Sequence, residues 1–329
     1  TYWYPGVIEA IKRLRARHGR VPVGLGGVYD TLCAEHAQRH SGAEQVIAGS
    51  GVSAAMRLVD DVTGHDYEPD RKADPHSWPA PAHHLVPRSF AGIVASWGCP
   101  YQCTYCASHR LQPTFVRREA GAVVEEVAGC VKRGIQDFAF YDDALLVGGG
   151  RHLATILRGI LSRELHVRFH TPNGLHARGI TEELARLMRR AGVMTVRLSL
   201  ETLDPVRQQT TGGKVTTDAF AQAISHLHSA GYGSTELGAY ILAGLPGQSP
   251  VEVEDTVNYV HSLGVQAKLA LFSPIPGTPD GDRALVSDAD PLLHNNTVYP
   301  YLQGIDYLRE LQRIKHVAKE GNLALLGGS

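Results

Sequence analysis

The chain has 329 residues, of which 43% are hydrophobic and 20% charged, with a formal net charge of −1. This is an ordinary globular balance, with core enough for one large domain and a smaller companion. It leaves no charged footprint for nucleic acid or an acidic membrane surface, and no apolar run approaches the roughly 18–20 residues of a membrane span.

In chain order, Pro5–His18 carries Val7, Ile8, Ile11 and Leu14 at helical spacing behind a Pro-Gly start. Val21–Gly27 reads as a short strand running into a glycine turn. Gln45–Ala48 reads as a second strand ending in Gly49-Ser50-Gly51, and Val52–Val62 as a helix. Such alternation marks a small, doubly wound parallel α/β unit, here truncated and Rossmann-like, over residues 1–62. Pro69, Pro75, Pro79, Pro81 and Pro87 then break the pattern, so 63–87 reads as a linker. From Phe90 the alternation is regular. Strands are expected at Phe90–Ser96, Asp137–Tyr141, Val167–His170, Thr195–Leu200, Glu236–Leu242 and Ala267–Phe272. Helices are expected at Ala120–Arg133, Arg151–Ser162, Thr181–Ala191, Thr216–Ala230 and Pro250–Ser262, with Thr181 and Thr216 as polar caps. Six βα repeats over 88–280 predict an α/β fold built on a partial (β/α)6 TIM-type barrel. Residues 281–329 form a helical extension with its last helix over Gly304–Lys319.

The run Cys99-Pro100-Tyr101-Gln102-Cys103-Thr104-Tyr105-Cys106 follows the first barrel strand, where such barrels keep their chemistry. Three sulfurs on a short loop can hold three corners of a [4Fe–4S] cluster, which normally takes four thiolates, leaving one iron open. Other readings of the same residues exist: a zinc site of Cys3His type with His109 as the fourth ligand, buried apolar thiols, or a disulfide pair with one Cys left over. Five Cys in all, three clustered, argue for a reducing compartment, the cytoplasm, and nothing at the start reads as a signal peptide. Cys33 and Cys130 fall in helix-like surroundings and read as packing residues.

Further polar residues fall at successive strand ends. Asp142 and Asp143 end the second strand, and paired acids can accept hydrogen bonds from an ammonium group; Asp143 alone reads equally as a helix cap. Asn173 follows the third strand and can reach a carboxylate or ribose, or simply turn the chain with Gly174. Arg197, Ser199 and Glu201 alternate with apolar residues, so they share one face, read as the barrel interior. After the fifth strand, Leu242-Ala243-Gly244 enters a Gly-rich bend whose backbone can read an adenine edge, and the stiff loop Phe272–Pro279 can wall the pocket.

Across about Phe90–Pro279 these segments resemble the radical S-adenosylmethionine (SAM) superfamily, whose signature is this C-x3-C-x2-C run with an aromatic before the last Cys. The resemblance implies Cys99, Cys103 and Cys106 as ligands of a [4Fe–4S] cluster and SAM bound at the open iron. It implies Tyr105 against adenine, Asp142 and Asp143 near the SAM amino group, Asn173, Ser199 and Glu201 around the rest of SAM, and the backbone of Leu242, Ala243 and Gly244 at adenine. It also implies an external electron donor of flavodoxin or ferredoxin type.

Gly24–Tyr29 with Gln45–Gly51 resembles the second half of the cobalamin-binding domain that precedes many such barrels. The D-x-H-x-x-G segment of that domain is then expected upstream of Thr1, which leaves a lower axial histidine unassigned; His36 and His40 read as helix-surface residues. The resemblance points to cobalamin-dependent methyl transfer to an unactivated carbon of a small molecule. The alternatives are a rearrangement, cyclisation or oxidation without cobalamin, or a non-catalytic Fe–S protein. Neither nucleic acid nor a membrane is expected as a partner.

Overall fold

The computed structural model describes residues 1–19, 21–49, 51–65, 80–85, 88–285 and 289–327. Most of the linker expected at 63–87 lies outside them. Near the start, a helix over Tyr4–His18 leads to β1 (Gly24–Gly26), and β2 (Gln45–Ile47) pairs parallel with it before a helix over Val52–Thr63. Gly27 turns the chain after β1 at φ 123°, a backbone region only glycine adopts readily.

The larger part begins with β3 (Phe90–Ile93). A small antiparallel pair follows, β4 (Ser96–Trp97) with β5 (Val116–Arg117). Then come β6 (Asp137–Phe140), β7 (Arg168–His176), β8 (Val193–Glu201), β9 (Leu237–Ala243) and β10 (Gln266–Leu271). Six parallel strands pair in the order β10-β9-β8-β7-β6-β3, and helices connect them. This is the expected partial (β/α)6 barrel. Period-two alternation sorts its residues. Phe140, Phe169, Val196, Leu198 and Leu200 face the helices and are fully buried, each burial contributing about 1.5–3 kcal/mol. Ala139, His170, Arg197 and Tyr240, of opposite parity, line the concave side. Thr181 and Thr216 cap their helices through bonds from the Leu184 and Ala219 amides, as their spacing predicts.

Two boundaries differ from expectation for physical reasons. The strand expected to stop at His170 runs on to His176, so Thr171–Gly174 is an irregularity within β7 rather than a turn after it. Its register to β8 shifts there, where Pro172 has no N–H to give and Gly174 passes so close to Ser199 that a Cβ would lie 2.1 Å from its Oγ. The last helix, expected to end near Lys319, spans Ile305–Gly327. Its Asn322 side chain accepts from the Ala267 amide at 2.8 Å and donates to the Ala267 carbonyl at 2.9 Å, covering the open edge of β10.

Cys130 is fully buried in the core, whereas Cys33 is half-buried where two short helices meet. His36 departs from its surface reading: it is half-buried, bonded to the Tyr29 hydroxyl at 2.6 Å and packed edge-on to Tyr4. Among the described residues no helix is long and apolar enough to cross a membrane.

Candidate active site

The cysteine loop leaves β3 and is tied at both ends. The β4–β5 pair closes its base, and Gly98 turns into it at φ 77° where a Cβ would meet the Thr114 carbonyl at 2.7 Å. Asp142, 4% exposed, fixes the entry. Its carboxylate accepts from the Ala95 amide at 3.1 and 3.0 Å and from the Ser96 hydroxyl at 2.6 Å. Two other loops clamp the middle. The Thr104 amide donates to the Thr211 carbonyl, the Asp280 amide donates to the Thr104 carbonyl, and the Thr104 hydroxyl donates to the Asp280 carboxylate. Gly212 passes over Cys103 so closely that a Cβ there would lie 3.1 Å from the Cys103 Cα.

The three thiols open onto a cavity of about 300 Å³. Asp143 follows β6, Asn173 lies in β7 and Ser199 in β8; all three line it, as does Tyr105. These four expected residues are therefore brought together with Cys99, Cys103 and Cys106. Asp142 and Glu201 are not among the lining residues. Asp142 holds the loop, and Glu201 accepts from Lys214 Nζ at 2.7 Å in a pair whose side chains are only 12% and 14% exposed. Leu242, Ala243 and Gly244 also lie off the cavity. Leu242 packs in a small apolar cluster with Leu245, Phe272 and Tyr299, against which Tyr105 rests. The backbone expected to read adenine is engaged: Gln248 bonds the Leu242 carbonyl and the Gly244 amide, and the Phe272 amide bonds the Ala243 carbonyl. His109, the fourth ligand of the zinc reading, does not line the cavity.

Lys214, His176 and Tyr240 also line it and were not singled out by their sequence positions. The signal for Lys214 was Gly212-Gly213-Lys214 between two helices; for Tyr240 it was its interior parity on β9. Burial opposes the charge on Lys214, yet Glu201 and the Cys103 thiol outweigh it and the pKa lies above the ordinary lysine value. Its Nζ stands 5.6 Å from the Tyr105 ring centroid. Burial pushes the Cys99 thiol up to about 11, and Cys103 rises for the same reason. His176, edge-on to Tyr101 at 4.4 Å, is pushed down to about 4 by burial and then by Lys214.

The donor set fits a polynuclear cluster. Three soft thiols from one loop around one cavity suit iron–sulfur ligation. Residues 93–260, about half of the chain, match the family description Radical SAM superfamily. The chain belongs to that superfamily. A [4Fe–4S] cluster and SAM are accordingly its cofactors. Among curated relatives, an uncharacterized methyltransferase of Pyrococcus horikoshii is 27% identical over 214 residues, 61% of this chain and 45% of that protein. The hopanoid C-2 methylase of Rhodopseudomonas palustris is 21% identical over 285 residues, 82% of this chain and 53% of that one. The chain spans about half the length of these curated relatives. In fold it is similar to the radical SAM methyltransferase TsrM of Kitasatospora setae, solved with cobalamin and a [4Fe–4S] cluster bound. That likeness has TM-score 0.70 and 18% identity, and covers 86% of this chain and 60% of that one.

Proposed function

We propose that this protein cleaves SAM reductively at a [4Fe–4S] cluster held by Cys99, Cys103 and Cys106, and transfers a methyl group to an unactivated carbon of a small molecule with the help of cobalamin. The observation that carries the first half is the cavity itself: three thiols from one loop, faced by Asp143, Asn173 and Ser199 from three strand ends. When bound and reduced, the cluster supplies the electron that breaks the S–C5′ bond of SAM, giving methionine and a 5′-deoxyadenosyl radical. The residues around it bind and orient. Asp143 offers a carboxylate to the SAM ammonium. Asn173 spends its amide N–H on the Tyr141 and Asp142 carbonyls, which leaves Oδ1 as its acceptor toward a ligand. Ser199 offers a hydroxyl to ribose or carboxylate. Lys214, held by Glu201, sets a positive charge near Cys103 and favours the deprotonated form of that thiol against its burial. Tyr105, on its apolar cluster, keeps water from one wall.

The methyl-transfer half is supported by the names of the two relatives, and cobalamin by the TsrM fold together with the parallel β1–β2 unit ahead of the barrel. A one-electron donor of flavodoxin or ferredoxin type and a reducing cytoplasm complete the reading. The test is anaerobic reconstitution followed by reduction with dithionite in the presence of SAM carrying a deuterated methyl group. The expected result is about four irons per chain, methionine and 5′-deoxyadenosine in equal amounts from one SAM, a cobalamin absorption spectrum, and, with substrate present, S-adenosylhomocysteine from a second SAM whose deuterated methyl appears in the product. A reconstituted protein that holds no cluster and forms no 5′-deoxyadenosine refutes the proposal. 5′-Deoxyadenosine without cobalamin binding transfers the assignment to a rearrangement or oxidation.

A further inference from the structure

Beneath the cluster cavity, on the same concave face, lies a second cavity of about 410 Å³ lined by Phe90, Tyr141, His170, Arg197 and Tyr240 among others. The two cavities share Pro172 and Tyr240, and the Tyr240 hydroxyl donates to the Pro172 carbonyl at 2.6 Å, so this pair forms the partition between them.

The charges on this face do not balance. Asp137 is taken by Arg168 and His170, and Glu201 by Lys214. Arg197 is half-buried and reaches only carbonyl oxygens, those of Glu236 at 3.0 Å and Val196 at 3.4 Å, both through Nη1. Its Nε and Nη2, the edge that grips an oxyanion with two parallel bonds, have no bond among the described residues. Gly238 makes the berth: a Cβ there would lie 3.0 Å from Arg197 Cδ and 3.2 Å from Nη1. One strand over, Lys268 pairs in register with Tyr240. Its Nζ bonds Gln266 Oε1, a neutral acceptor, at 2.8 Å. Burial lowers the pKa of both cations, and that of Lys268 falls further because Arg197 is near. Asp137 lines the same cavity but its carboxylate is bonded to Arg168 and His170, so Arg197 stands partly desolvated with no carboxylate bonded to it, which is costly to hold.

We propose that this lower cavity is the substrate's anchoring subsite. It takes an oxyanion, a carboxylate or a phosphate ester, on the Arg197 fork, with the charge of Lys268 two strands away and outside the lining adding to the field, and seats an apolar or aromatic body against Phe90 and Tyr141. The far end of the substrate then passes the Tyr240–Pro172 partition toward the cluster cavity. The substrate class is thus a small amphipathic anion. This inference rests on the proposed radical SAM activity only for the word substrate; the subsite is testable by itself.

The test measures binding of 3-phenylpropionate, of its uncharged amide and of inorganic phosphate to the reconstituted full chain by calorimetry. S-adenosylhomocysteine is held at saturation so that the upper cavity is filled. Binding of at least one anion with a Kd on the order of 1 mM is expected, with the amide at least tenfold weaker than the acid. Arg197→Gln weakens the anion at least tenfold, and Lys268→Met, an independent variant on another strand, weakens it severalfold. 3-Phenylpropionate stronger than phosphate identifies a carboxylate source, and the reverse a phosphate ester. The proposal is overturned if neither anion binds the wild-type protein, if both variants bind as well as wild type, or if S-adenosylhomocysteine displaces the anion. Anion binding without SAM cleavage sinks the radical SAM activity and leaves the subsite standing; cleavage without anion binding does the opposite.

Discussion

Replacing Asp142 separates two roles that its position leaves open, touching SAM or holding the cysteine loop. Its carboxylate is the acceptor for the Ala95 amide and the Ser96 hydroxyl, all of them buried. Asp142→Ala strands two donors away from water at about 1–3 kcal/mol each, so a loss of about 3–5 kcal/mol in unfolding free energy is expected. Asp142→Asn keeps one acceptor oxygen and the shape, and its loss is about 1–2 kcal/mol. Urea unfolding of the metal-free protein reads these numbers, and iron per chain after reconstitution reads the consequence for the loop. Iron falls with stability in the Ala variant and is largely retained in Asn. The pH dependence has a definite sign. Burial raises the Asp142 carboxyl from 3.8 to about 6, so the folded protein holds that proton more tightly than the unfolded chain. The stability this group contributes is complete below pH 3.8 and is lost as pH rises through about 6, a range worth at most about 3 kcal/mol. Asp142→Asn removes that dependence. An Ala variant with wild-type stability and full iron but weakened SAM binding would refute this reasoning and return Asp142 to the ligand.

Lys214→Met leaves Glu201 buried without its partner and is expected to cost about 3 kcal/mol; adding Glu201→Gln restores most of it, and strictly additive losses in thermal unfolding would contradict the pairing. Gly212→Ala places a Cβ 3.1 Å from the Cys103 Cα at a backbone φ of 128°, so a loss of about 1–3 kcal/mol and reduced iron uptake are expected, whereas Gly213→Ala, with only the Gln209 side chain nearby, is milder. His176, neutral in the fold down to about pH 4, contributes stability that is complete above pH 6.5 and lost as pH falls toward 4; a ring titrating at its ordinary value by NMR would disprove that burial.

The barrel was legible because its strands and helices obey separate periods and polar caps punctuate them. Arg151–Ser162 and Pro250–Ser262 come out with the boundaries their sequence shows. Alternation also held more than the motif reading extracted. Ala139, Tyr141 and Asp143 share the parity that faces the cavities, and Phe140 and Asp142 the parity that does not, so the two neighbouring acids differ in role by one step of pleat. Glu201 breaks the same rule. A register shift after Ser199 and a left-handed φ of 70° re-aim it toward Lys214. Parity could not foresee that. Nor could spacing foresee Lys214, thirteen residues farther on, because its place depends on a loop folding back over the cysteines.

Asn322 carries a consequence beyond its two bonds to Ala267 and its third to His261. By presenting an amide to both the N–H and the C=O of Ala267, it imitates one residue of a seventh strand and leaves β10 with no vacant rung at that point. An unfinished barrel has a rim that invites another chain to add to it. Here the helix over Ile305–Gly327 doubles as a guard for that rim, and shortening it ahead of Asn322 is expected to bare the Ala267 rung to another chain, read as concentration-dependent association in sedimentation.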